Sequence, residues 1–349
     1  MVFEIIFVVR VPMKKTCCQN YRSIGVVFSV VLFVLTTQTL FAGHFIDIGT
    51  SGLYSWARGV SGDGRVVVGY EGGNAFKYVD GEKFLLEGLV PRSEALVFKA
   101  SYDGSVIIGI SDQDPSCRAV KWVNGALVDL GIFSEGMQSF AEGVSSDGKT
   151  IVGCLYSDDT ETNFAVKWDE TGMVVLPNLP EDRHSCAWDA SEDGSVIVGD
   201  AMGSEEIAKA VYWKDGEQHL LSNIPGAKRS SAHAVSKDGS FIVGEFISEE
   251  NEVHAFVYHN GVIKDIGTLG GDYSVATGVS RDGKVIVGHS IRTDGEYRAF
   301  KYVDGRMIDL GTLGGSASFA FGVSDDGKTI VGKFETELGE CHAFIYLDD

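Results

Sequence analysis

Proline is scarce in this 349-residue chain, with six residues, and basic residues are outnumbered, 29 Lys and Arg against 49 Asp and Glu. A net charge of −20 repels phosphate backbones and anionic headgroups, which argues against nucleic acid and a charged lipid surface as partners. Cysteine is sparse too. Cys17 and Cys18 lie in the first 42 residues, leaving Cys117, Cys154, Cys186 and Cys341. Spacings of 37, 32 and 155 fit no zinc pattern. No amphipathic helical stretch is visible after residue 43. There is no Gly-x-Ser-x-Gly. The segments Gly267-Thr268-Leu269-Gly270-Gly271 and Gly311-Thr312-Leu313-Gly314-Gly315 lack the lysine and helix of a phosphate loop. The eight histidines are scattered. No catalytic residue, metal site or cofactor is therefore assigned from the sequence.

Glycine, in contrast, is abundant at 44 residues, and apolar residues reach 44%, enough for a packed core. The chain opens with a pattern of its own. Met13-Lys14-Lys15 and Arg22 precede the apolar run Ile24 to Leu35, and Thr36 to Ala42 follows. A basic start, a 12-residue apolar core and a small residue at the cut describe a signal peptide. The expected leader is 1–42, cleaved between Ala42 and Gly43, with Met13 as an alternative start. Four cations against Glu4 give it a net +3, so the remainder carries −23. Residues 43–349 form the expected mature domain, with no membrane span, outside the cytoplasm.

Ser-x-Asp-Gly recurs seven times in that domain. Its aspartates are Asp63, Asp103, Asp147, Asp193, Asp238, Asp282 and Asp326, spaced by 40, 44, 46, 45, 44 and 44. Six residues after each comes a glycine: Gly69, Gly109, Gly153, Gly199, Gly244, Gly288 and Gly332. Each copy then carries Ala, Phe or Val, any residue, and Tyr or Trp, as in Ala299-Phe300-Lys301-Tyr302. A unit reads as four strands, a to d. Asp-Gly predicts a two-residue a–b hairpin, and Asp80-Gly81, Asn124-Gly125, Asp215-Gly216, Asn260-Gly261 and Asp304-Gly305 predict c–d hairpins. A four-stranded unit with a period near 44 predicts an all-β fold, a seven-bladed β-propeller of antiparallel blades. The last copy ends at its strand c, while His44-Phe45-Ile46-Asp47-Ile48-Gly49 matches the strand d Arg306-Met307-Ile308-Asp309-Leu310-Gly311. The N-terminal strand is thus expected to complete the last blade, removing an exposed edge.

Seven equally spaced aspartates cannot serve one site, so turn capping is their expected role. His254 and His342 precede strand c in equivalent places and are expected to be structural. Cys154 and Cys186 fall in neighbouring repeats and could meet; four separate thiols are the expectation, with the disulfide state open. The b–c connections vary, from five residues in the first copy to ten or eleven in later ones. They hold Asp158, Asp159, Glu161, Glu205, Glu206, Glu249 and Glu250, the candidate binding residues.

His254-Ala255-Phe256, His342-Ala343-Phe344, the segment Asp309-Leu310-Gly311-Thr312-Leu313-Gly314-Gly315 and the repeated Gly-Val-Ser-x-Asp-Gly resemble the HAF-repeat family of extracellular bacterial proteins. The chain also resembles the propeller-like passengers of chlamydial autotransporters, without their membrane barrel. This resemblance implies export and supplies no catalytic residues. The leading expectation is a monomeric exported binding protein that engages a protein or glycan through its variable face. The alternatives are a carbohydrate-active hydrolase or lyase with its site in the channel, and a structural role in the envelope.

Overall fold

Seven four-stranded antiparallel units follow one another along the chain in the computed structural model, which describes residues 43–90, 94–113, 116–221, 224 and 226–348. The expected leader and Ala42 lie outside the described residues. Strand a of the successive blades spans Ser55–Val60, Ala95–Ala100, Met137–Val144, Asp182–Ala190, Arg229–Val235, Gly270–Val279 and Ser318–Val323. Blades 5 and 6 share one sheet through a single parallel pair, Val253 and Tyr273. Each strand a abuts the next, and that of blade 7 abuts that of blade 1. Among the described residues no helix is long and apolar enough to cross a membrane.

The N-terminal strand Gly43–Asp47 pairs with Cys341–Asp348, strand c of blade 7, in the register Gly43 to Asp348 through Asp47 to Phe344. The ring is tied in two further places. Ala343 donates its N–H to Ser55 Oγ at 2.9 Å, and Asp325 N–H donates to Gly62 O at 2.9 Å. The first bond repeats a device used around the ring: Ala119, Ala165, Ala210, Ala255 and Ala299 each donate to a serine at the start of the next blade. The core is correspondingly a set of inter-blade layers. Ala57, Val67 and Phe76 of blade 1 pack with Ile48, Val331, Ala343 and Ile345 of blade 7.

The Ser-x-Asp-Gly box caps its own turn in all seven copies. Serine Oγ donates to aspartate Oδ1 at 2.6–3.1 Å. The aspartate accepts the N–H two residues on, and serine Oγ accepts the N–H five residues on at 2.9–3.0 Å. The turn is not the two-residue hairpin that Asp-Gly suggests. Ser61 N–H bonds Val66 O, enclosing four residues, with Gly64 at φ +76°. The side-chain bridge stabilises this wider loop better than a bare hairpin would be. The five c–d turns do match expectation, with positive φ at both central residues, as at Asp304 (51°) and Gly305 (78°). The b–c connections are shorter than the sequence suggests. Strand pairing continues beyond the glycine, leaving only 158–161, 204–207 and 248–252 between strands in blades 3, 4 and 5.

The second repeated glycine has a steric cause. A Cβ at Gly69, Gly109, Gly153, Gly199, Gly244, Gly288 or Gly332 would stand 1.9–2.0 Å from a carbonyl oxygen of strand a. Two residues beyond that carbonyl, strand a carries a bulge, in the same place in every blade. The glycine gives the bulged backbone room. Gly288→Ala is therefore expected to cost about 3 kcal/mol or more, or to prevent folding, because backbone must move. Gly305→Ala, with open space around it, should cost about 1 kcal/mol for its positive φ alone. Urea denaturation of the two variants compares them, and equal losses would contradict the steric account.

Candidate functional site

The bulged residues are Arg58, Phe98, Glu142, Trp188, His233, Thr277 and Phe321, each five residues before its box aspartate. Each is half-exposed, although the residue before it is fully buried in every case. A β-bulge re-aims a side chain, and here it turns seven side chains from the blade interfaces to the axis of the ring. The residue before each is Ala or Val in every blade, whereas this position holds mostly unlike residues.

Groups from non-adjacent blades meet there. Lys99 Nζ of blade 2 lies 2.7 Å from Asp189 Oδ1 of blade 4, and Asp189 Oδ2 also accepts Val235 N–H of blade 5 at 3.1 Å. Trp188 Nε1 and Ser231 Oγ both donate to Asp200 Oδ2, at 3.0 and 2.7 Å. His233 Nε2 lies 2.9 Å from Glu245 Oε2. Beside Glu245, Arg229, Ser231 and Tyr273 line a cavity of about 70 Å³. The opposite side is aromatic. The Arg58 guanidinium sits 5.5 Å from the Trp56 ring and 5.4 Å from those of Phe98 and Phe321. Lys333 Nζ lies 4.8 Å from Trp56 and 4.7 Å from Phe319.

Two of these groups have no committed partner. Among the described residues, Arg58 and Glu142 make no hydrogen bond and no ion pair within 4 Å, with each other or elsewhere. Standing on blades 1 and 3, each feels the charge of the other. Burial pushes the Glu142 carboxyl up to about 7, against the pull of Arg58 and Lys99. Burial likewise lowers the Arg58 pKa, which Glu142 partly restores. Burial raises Asp200, against its two hydrogen bonds. The Glu245 carboxyl feels the same burial, but His233 more than offsets it and holds it below its ordinary value. A carboxyl titrating near neutrality can both give and take a proton. An arginine in an aromatic cage offers planar donors to an anion and ring faces to its carrier.

One mouth is bridged. Arg281 of blade 6 reaches Glu192 of blade 4 at 2.5 Å and Asp325 of blade 7 at 3.7 Å, across the ends of the a–b turns. The other mouth carries the b–c loops. There Asp158, Asp159, Glu161, Glu205, Glu206, Glu249 and Glu250 are all exposed, on three consecutive blades. His254 and His342 have matching places: Nδ1 bonds Asp265 at 2.7 Å and Asp47 at 2.9 Å, tying strand c to strand d. Among the described residues all four cysteines are thiols outside any disulfide, as expected. Cys117, Cys154 and Cys186 are buried and Cys341 is partly buried. Among the described residues no group of three or more His, Cys, Asp or Glu is placed to hold a metal ion. The axial residues escaped the sequence reading because no motif contains them. Their signal is a column of mostly unlike residues beside one that is Ala or Val in every repeat.

The sequence matches no family model and no curated protein. Its fold is that of solved propeller proteins. An oligogalacturonate lyase from Vibrio parahaemolyticus aligns with a TM-score of 0.59 at 10% identity, over 87% of this chain and 96% of its own. An oligogalacturonate lyase in complex with manganese aligns at 0.62 and 9% identity, over 88% and 96%. A prolyl endopeptidase aligns at 0.56 and 14% identity over 84% of this chain, which spans about half of that enzyme, 47%. At such identities the likeness is one of fold alone.

Glu142 makes stability depend on pH. Its carboxyl ordinarily titrates at 4.5, and in the fold at about 7. Between those values the fold retains a proton that the unfolded chain has released, so stability falls as pH rises from about 4.5 to about 7, then levels. Glu142→Gln removes that loss. Calorimetry at pH 8 should find the variant more stable by about 2 kcal/mol, the full shift being worth roughly 3 and channel water screening part of it. At pH 4 the two should melt together.

Proposed function

We propose that this protein is an exported binding protein whose ligand sits in the channel and carries a single carboxylate on a ring-bearing body, as in an acidic monosaccharide. The observation that carries this reading is Arg58, half-exposed at the axis among Trp56, Phe98 and Phe321 and without an ion-pair partner among the described residues. A guanidinium held among aromatic rings with no ion-pair partner leaves its planar donors free for an anion. A carboxylate would take its planar donors in a bidentate contact, and the rings would stack on the ligand body. Glu142, about half protonated at neutral pH, and Asp200 supply hydrogen bonds for hydroxyl groups. The acidic surface favours a monoanion over a polyanion, which the rim would repel. Export follows from the leader 1–42, and membership of the HAF-repeat family from the motifs that carry it.

The acidic loops support a second reading, in which the b–c face engages a basic partner protein or a glycan. Seven exposed carboxylates on three consecutive blades are the observation behind it. A lyase or hydrolase acting in the channel would use Glu142 as its acid or base; two carboxyl groups raised by burial, Glu142 and Asp200, are what favours it.

Titration calorimetry with uronic acids and the matching neutral sugars tests the main reading. The acids should bind and the neutral sugars should not. Arg58→Met should weaken binding about a hundredfold, the loss of a charge-assisted contact worth on the order of 3 kcal/mol. Equal binding of acidic and neutral sugars, or an unaffected Arg58→Met, would rule the channel reading out. Binding abolished only by neutralising Asp158, Asp159, Glu161, Glu249 and Glu250 would move the site to the loops.

A further inference from the structure

We propose that the channel is a blind well, closed at its a–b mouth by a ring of backbone hydrogen bonds and by the Arg281 side chain. It then takes an acidic ring only as a free sugar or as the terminal unit of a chain, never as an interior unit. The second residue of each Ser-x-Asp-Gly box lies at that mouth, and there neighbouring blades bond backbone to backbone. Asp63 N–H donates to Tyr102 O at 3.0 Å, Tyr102 N–H to Ser146 O at 2.9 Å and Glu192 N–H to Lys237 O at 2.8 Å. Arg281 N–H donates to Asp325 O at 3.0 Å, and Asp325 N–H to Gly62 O at 2.9 Å. Among the described residues, only the junctions between blades 3 and 4 and between blades 5 and 6 lack such a bond. The Arg281 side chain spans the second of these: from blade 6 it reaches past blade 5 to Glu192 Oε2 of blade 4 at 2.5 Å, with Asp325 Oδ2 of blade 7 at 3.7 Å. The ring is also full. A Cβ at Gly62 would stand 2.5 Å from the Tyr102 ring and 2.9 Å from the Asp325 carboxyl.

Toward the opposite mouth, Arg229, the first residue of its strand a, borders the cavity of about 70 Å³ with Tyr273. Arg58 lies nearer the closed end, three residues before Ser61 of its box. Trp56 and Phe319 lie one step farther from that end, each two residues earlier on its strand than Arg58 or Phe321. Taking a carboxylate to sit on Arg58, as in the reading above, the ring that bears it stacks at the level of Trp56, and its substituents point to the b–c mouth. An interior sugar has a neighbour on either side, and one of the two would run into the Arg281 bridge. The backbone ring cannot part for it without losing hydrogen bonds at several junctions together. The exclusion is therefore steric, and it selects for position in a chain as well as for charge.

Titration calorimetry on the full chain compares free glucuronic acid with trisaccharides of one glucuronic acid and two glucoses, the acid at either end or in the middle. The free acid should bind, and the middle isomer should bind about a hundredfold more weakly or not at all. A middle isomer that binds as tightly as the free acid would overturn the proposal. Failure of the free acid itself to bind would sink the seat on Arg58, and closure is then judged by a measurement without ligand. Thr277→Cys places a thiol on the axis four residues before Arg281. Its modification by a small charged maleimide is timed by mapping the peptide that holds it, with Arg281 intact, with Arg281→Ala and with Glu192→Gln. Breaking the bridge should speed the reaction severalfold. An unchanged rate in folded Arg281→Ala and Glu192→Gln would mean that the mouth is open in the wild type, and the blind well would fall.

Discussion

Seven glycines set against seven carbonyl oxygens govern this molecule. With a Cβ at any of these glycines, strand b would be driven off the bulged strand a, by less than 2.1 Å of available space. Because the glycine is there, strand a bulges at one fixed place in every blade, and one side chain per blade swings to the axis. The box serine and aspartate hold the following turn, so the bulge cannot relax along the strand. Ring closure needs the same regularity: inner strands that differed in path could not stack seven times and still bring Asp325 to Gly62.

That constraint separates two jobs. The repeated residues build a scaffold whose interfaces are small and apolar, with alanines of strand c under the serines of the next blade. The unrepeated residues collect where the scaffold leaves room. On the axis they are sorted, with Arg58, Lys333 and the aromatic rings on one side and Glu142, Asp189, Asp200 and Glu245 on the other. Most of the charges are matched, Lys99 by Asp189 and His233 by Glu245. Arg58 and Glu142 are not matched, and this inequality is what makes the channel a site and not merely a gap in the packing. In a chain of net charge −20, it is also a place where cationic groups gather in a space of low dielectric.

The likeness to oligogalacturonate lyases and a prolyl endopeptidase reaches the scaffold only. Propeller rings with different chemistries are built on similar inter-blade packing, and the chemistry is decided by side chains at few positions. Arg58 and Glu142 belong to such positions in this chain.

Local chemistry determined much of this architecture. Ser-x-Asp-Gly, Asp-Gly and Asn-Gly turns, β-branched runs and a period near 44 are short-range signals, so the four-stranded unit and the pairing of the N-terminal segment with the last strand could be read from the chain. The loop lengths could not, because strands b and c go on pairing beyond the pattern that marks them, at the cost only of polar side chains turned outward. Nor could the axial site. Arg58 and Glu142 are 84 residues apart, and nothing local to either marks it as partner of the other. Closure of the ring brings them together, and burial there moves the Glu142 carboxyl to about 7. Electrostatics depends on what surrounds a group in space, and only the tertiary structure decides that.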